Sequence, residues 1–171
     1  MLCAICVIAT SCVKDVDFDQ TKNIGLSPDL QTDLLIYDVN EDYFYSENKE
    51  FRSIIRDTVR LEFLDDDYIQ DDLSEVEFYF RHINTFPYAF SNTIKFLSLS
   101  DGEQFRVEYE IPPGSENNPS EIDHIEYIEE ARIGLVRNSI KMVVELEVLT
   151  GTEEFKGDLD FASKGLFMFE F

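Results

Sequence analysis

The sequence predicts an all-β protein with one short helix, folded as an antiparallel sandwich of two sheets; a closed β-barrel is the alternative. Three observations carry this. Apolar residues return with the two-residue period of half-buried strands in run after run. Clusters of Gly, Pro, Asn and Ser punctuate the runs, as turns between short strands require. All three cysteines, Cys3, Cys6 and Cys12, stand at the N-terminus, so 15 Phe and 8 Tyr rather than disulfides must hold the remainder together. At 171 residues the chain has length for one sizeable core and too little for two.

Taken in order, residues 13–29 read as a polar tether, broken by Gly25 and Ser27-Pro28 and able to add an edge strand through Val16-Asp17-Phe18. A single domain follows over 30–171. Its first strand carries Leu34, Ile36 and Asp38 on one face and Leu35, Tyr37 and Val39 on the other; both faces begin apolar, which suits a central strand. Phe51, Ile54 and Ile55 could form one helical turn. Val59, Leu61 and Phe63 alternate with Arg60 and Glu62, and Val76, Phe78, Phe80 and His82 with Glu77, Tyr79 and Arg81. Phe105, Val107, Tyr109 and Ile111 form the next inward face, then Met142, Val144, Leu146 and Val148. Ile122, Ile125 and Ile128 fall at helical spacing after Ser120, which with Asp123 resembles a capping box, so a short helix is expected over 121–131. At the C-terminus Leu159-Asp160-Phe161 is expected to pair across a Ser163-Lys164-Gly165 turn with the strand of Phe167, Phe169 and Phe171.

Residues 1–12 resemble the end of a secretory signal. The stretch Leu2 to Ala9 is an apolar h-region too short to span a bilayer. Ala9-Thr10-Ser11-Cys12 resembles a bacterial lipobox, and Lys14-Asp15 with Asp17 and Asp19 looks like the acidic export tag of Bacteroidetes-type surface lipoproteins. The resemblance implies acylation at Cys12 and a membrane partnership through that lipid, hence a cell-envelope location, most simply the outer membrane. Each buried CH2 of such an anchor contributes about 0.8 kcal/mol. The run from Phe78 to Pro87 resembles the strand-to-turn pattern of late-embryogenesis-abundant β-sandwich domains, where an Asn and a Pro end a strand. It implies a sandwich and no activity.

Formal charge is −22, from 36 acidic and 14 basic residues. Such a surface repels phosphate backbones, so nucleic acid is excluded as a partner. Trp is absent, which removes the favoured stacking surface for sugars. No cofactor is expected: the seven glycines are scattered singly, with no phosphate-cradling loop.

Chemistry has few footholds. His82 falls on an apolar strand face and reads as a core histidine with one hydrogen bond; His124 reads as a solvated residue on the polar side of the expected helix, beside Asp123 and Glu126. There is no zinc spacing beyond Cys12 and no G-x-S-x-G elbow. Asp65, Asp67 and Asp71 are weak candidates for Ca2+, but EF-hand spacing fails because Ile69 and Gln70 stand at the fifth and sixth positions; a solvated acidic hairpin loop is expected instead. The candidate binding residues are aromatics outside the strand pattern: Tyr43, Tyr45, Phe86, Tyr88 and Phe90. Large apolar groups in loops either form a contact face or cap the open end of a sandwich, and both readings stand at this point. The functional expectation is a non-catalytic envelope lipoprotein that binds another envelope protein or a glycan. The alternatives are a carboxylate-based glycan hydrolase and a structural component of an envelope complex.

Overall fold

A computed structural model describes residues 29–149 and 155–170; the leader, Cys12 and nearly all of the tether lie outside the described residues. Two four-stranded sheets face each other. The first has the order β1 (Asp29–Asn40), β8 (Asp158–Phe169), β3 (Leu73–Asn84), β6 (Ser120–Ile128). The second has the order β2 (Ile54–Arg60), β7 (Lys141–Val148), β4 (Phe90–Leu97), β5 (Glu103–Ile111). Every neighbouring pair is antiparallel, and the sheets do not close into a barrel.

The inward faces of β3, β5 and β7 are those the alternation predicts. Val76, Phe78, Phe80 and His82 are fully buried, and Phe105, Val107 and Ile111 oppose them from the other sheet. Phe96 and Phe105 stack with ring centroids 4.2 Å apart, an aromatic cross-strand pair on β4 and β5.

Four expectations are corrected. Residues 120–128 form the edge strand β6 rather than a helix. The same stretch also alternates, with Ile122, His124, Glu126 and Ile128 turned inward, and the free edge of β3 offers a ladder that a short helix would forgo. Helical turns appear instead at α1 (Asp67–Asp72) and α2 (Ile133–Arg137). The C-terminal segment is one unbroken strand, β8, with no turn at 163–165. Gly165 and Ser163 are small for packing reasons: a Cβ at 165 would stand 2.5 Å from the Phe167 ring, and Ser163 Oγ exchanges 3.0 Å hydrogen bonds with the Leu35 backbone where β1 bulges.

The first strand, β1, is an edge strand and not central; its bulge after Asp33 turns both Leu34 and Leu35 toward the core. Strand β2 begins at Ile54, where a helical turn had been possible, and stops at Arg60; Leu61 and Leu64 are then buried by a 3-10 turn over Glu62–Asp65.

Candidate functional site

Both edge strands on one side of the sandwich, β1 and β2, have a ladder partner on one flank among the described residues. Between them opens a cleft of about 660 Å3. Tyr37 and Val39 of β1 and Val144 and Leu146 of β7 line it, with Ile55 and Asp57 of β2; Tyr43 and Arg52 stand on the loops that join β1 to β2. Tyr43 sits in a 3-10 turn (Glu41–Phe44) started by Asn40, whose Oδ1 accepts from the Asp42 N–H at 3.1 Å. The turn buries Phe44 completely and leaves Tyr43 59% exposed over the cleft.

Charge is uneven here. Arg56 Nε pairs with Glu145 at 2.6 Å, and Lys95 Nζ pairs with the same carboxylate at 2.6 Å, so two cations share one anion. Asp57 lines the same cleft as Tyr37. Burial first, and Asp57 second, push the Tyr37 hydroxyl well above its ordinary range, so Tyr37 is a neutral donor at the cleft floor.

Behind the cleft a polar band crosses the interior. On one sheet Tyr37 and His82 both pair in register with Phe161; on the other Asn92 pairs with Leu146 and Tyr109. This level separates two apolar clusters: a larger one around Phe78, Phe96 and Phe167, and a smaller one around Phe44, Phe86 and Phe90; Tyr37 and Tyr109 pack against both. His82 Nε2 shares a 2.9 Å hydrogen bond with the Tyr109 hydroxyl. Burial pushes the Tyr109 hydroxyl up, and the adjacent Asn92 acts in the opposite sense, yet the Asn92 amide atoms meet no partner at hydrogen-bonding geometry among the described residues.

His82 is the core histidine with one hydrogen bond that its strand position predicts. His124 is not a solvated helix residue: it stacks on Tyr109 with centroids 4.4 Å apart, and its Nε2 is buried. Burial lowers the His82 pKa from 6.5 to about 3. Below pH 6.5 the unfolded chain therefore takes up a proton that the folded chain refuses, and stability falls with pH until about 3. The loss amounts to about 2 kcal/mol at pH 5 relative to neutral pH. Urea midpoints at pH 7.5 and pH 5 for the wild type and His82→Phe check this. The variant should lose less stability on acidification, and equal losses would contradict the assignment.

The predicted aromatics divide. Phe86 and Phe90 are fully buried, 5.4 Å apart, and close one end of the sandwich with Phe44 and Phe155. Tyr88 packs on Phe155 at 5.1 Å. These take the capping role. Tyr43 lines the cleft, and Tyr45, 41% exposed, stands beside it against Phe51. Asp65, Asp67 and Asp71 lie on helical turns rather than a hairpin loop, and no group of acids that could hold a metal ion occurs among the described residues. No local pattern marks Tyr37, Arg52, Asp57 and Leu146 as neighbours, because the sheets bring them together from three separate segments: β1, β2 with the loop before it, and β7.

A second hollow, at the far end near Gln70 and Leu99, has Gln70 and part of the Arg137 guanidinium engaged, while Arg137 Nε is buried with no hydrogen-bond partner among the described residues. Gln70 donates to the Leu64 and Arg137 carbonyls at 2.7 and 2.9 Å, and Arg137 donates to the Leu73 carbonyl at 2.6 Å.

Fold and site together define a two-sheet β-sandwich module with a lateral cleft. No protein-family model matches the chain, and no curated protein matches it. Among solved structures it is similar to a protein of Parabacteroides distasonis thought to be secreted, at 14% identity and a TM-score of 0.51 over 73% of this chain. This chain spans 40% of that protein's length. It is also similar to the VP2 subviral particle protein of infectious bursal disease virus, at 7% identity and a TM-score of 0.48, over 84% of this chain and 33% of that one. The first likeness supports the sandwich fold.

Proposed function

We propose that this protein is a non-catalytic binding module of the bacterial cell envelope, held to the membrane by a lipid on Cys12, and that it engages an envelope partner through the β1–β2 cleft. The cleft carries the reading: it joins an exposed aromatic, a neutral phenol and a cationic rim in one concave site. The lipobox-like Ala9-Thr10-Ser11-Cys12 supports the anchor. The secreted character thought to hold for the Parabacteroides distasonis protein agrees with an envelope location, with outer-membrane placement resting on the acidic tag alone. No helix among the described residues is long and apolar enough to cross a membrane.

The competing glycan hydrolase needs two carboxyls facing each other across a site. Asp57 is the acid lining this cleft, and the nearby Glu145 is held by Arg56 and Lys95.

Metabolic labelling with a fatty-acid analogue should mark the wild type and not Cys12→Ser. Tyr43→Ala should remain folded and lose capture of the partner from envelope extracts. Label retained on Cys12→Ser would remove the anchor; undiminished capture by Tyr43→Ala would remove the cleft.

A further inference from the structure

We propose that the ligand of this cleft is an extended acidic peptide that adds as a fifth strand to the edge of β2 that has no ladder partner among the described residues. This deepens the binding-module reading and rests on it.

The first argument is the ladder. Strand β2 pairs with β7 in unbroken register, and bonds at its two ends, Val148 N–H to the Ser53 carbonyl and Leu61 N–H to the Ile140 carbonyl, both at 2.8 Å, show that odd-numbered residues face β7. The N–H and C=O groups of Ile54, Arg56, Thr58 and Arg60 therefore point to that other edge. Asp57 Oδ1 accepts from the Thr58 N–H at 2.7 Å, which leaves Ile54, Arg56 and Arg60 to receive a strand.

The second argument is charge. In a chain of net charge −22, Arg52, Arg56 and Arg60 recur along this single edge. Arg52 has no ion-pair partner among the described residues, Arg56 shares Glu145 with Lys95, and Arg60 meets the exposed Glu62 at 3.4 Å. A row of arginines on an edge opposes self-pairing of two β2 strands. It welcomes a strand whose outward side chains are acidic.

The third argument is the shape beneath. A strand added to β2 would lay its alternate, inward side chains over Val39, Leu146 and Tyr43, so those positions should be apolar. Exposed apolar residues crowd this side of the molecule: Tyr43, Tyr45, Phe51 and Ile54.

The recognised pattern is thus alternation of acid and aliphatic residues. The test uses three end-blocked eight-residue peptides with a fluorophore: alternating Val and Asp, alternating Val and Lys, and the Val–Asp peptide N-methylated at every second residue. Fluorescence anisotropy with the full chain should show the Val–Asp peptide binding at least tenfold more tightly than either control. Arg56→Glu should weaken it at least tenfold. Arg56→Gln, which removes the charge without adding repulsion, should fall between and shows that the effect is not misfolding. Equal binding of the N-methylated peptide would overturn strand addition. Equal binding of the Val–Lys peptide would overturn the acidic specificity. If the Val–Asp peptide binds only after Asp15, Asp17 and Asp19 are changed to Asn, the edge belongs to the chain's own tether and the proposal fails. If the free protein is a dimer by light scattering and monomeric as Arg56→Glu, the edge belongs to a second copy and it fails likewise. In any of these cases, loss of partner capture by Tyr43→Ala would still leave the cleft as the binding site.

Discussion

Phe78→Ala is expected to lower unfolding free energy by about 3–5 kcal/mol, a large share of the roughly 5–15 that a domain of this size possesses. Phe78 is fully buried, and its ring lies 4.7 Å from Phe96 and 6.1 Å from both Phe105 and Phe167. It faces Gly165 of β8, over which the Phe167 ring is folded. These neighbours are themselves locked by stacking and by backbone ladders on both sheets, so they cannot move in to fill the void. Phe105→Ala, on the edge strand β5 and slightly exposed, should cost less. Urea denaturation followed by far-UV circular dichroism measures both. A loss under about 1 kcal/mol at Phe78 would mean that the two sheets slide together and that the core is not held as described.

Asn84→Ala is expected to be comparably damaging, for a different reason. Asn84 ends β3 and is fully buried. Its Nδ2 donates to the Tyr88 and Pro112 carbonyls at 3.0 and 2.8 Å, and its Oδ1 accepts from the Phe86 N–H at 2.9 Å. One side chain thus satisfies three backbone groups from two loops. Removing it strands the Tyr88 carbonyl and the Phe86 N–H at about 1–3 kcal/mol for each that stays dry, while the Pro112 carbonyl keeps the Ser120 hydroxyl at 2.7 Å. Backbone crowding leaves little slack for relaxation, since a Cβ on Gly114 would stand 1.9 Å from the Asn84 carbonyl oxygen. The loss should appear as a lower denaturation midpoint and faster exchange of the Phe86 amide. A midpoint within error of the wild type would show that water replaces the amide at no cost.

What could be read from the sequence followed from local periodicity. Strands β3, β5 and β7 each have one buried and one wetted face, and their alternation states this directly. Strand β8 hid because Ser163 and Gly165 have turn chemistry, while their small size answers to the Leu35 bulge and the Phe167 ring, contacts far away in sequence. Strand β6 hid because Ile122, Ile125 and Ile128 fit a helix as well as a strand, and the choice is made by the open edge of β3. The loop aromatics were legible as a group but not as individuals. Phe86 and Phe90 turn inward because Asn84 and Gly114 fold their corner over the end of the sandwich, whereas Tyr43 is carried outward by the turn that buries Phe44. The cleft itself depends on where two sheet edges stop, which no local pattern encodes.

On the proposed function, binding takes place on the β1–β2 side of the sandwich. A photo-crosslinking amino acid at position 43, on the cleft rim, and at position 99, where Leu99 is 69% exposed at the opposite end, tests it in intact cells. A crosslinked adduct from position 43 that is absent from position 99 is the expected result. An adduct from position 99 with none from position 43 would contradict the claim and move the binding face to the other end of the molecule.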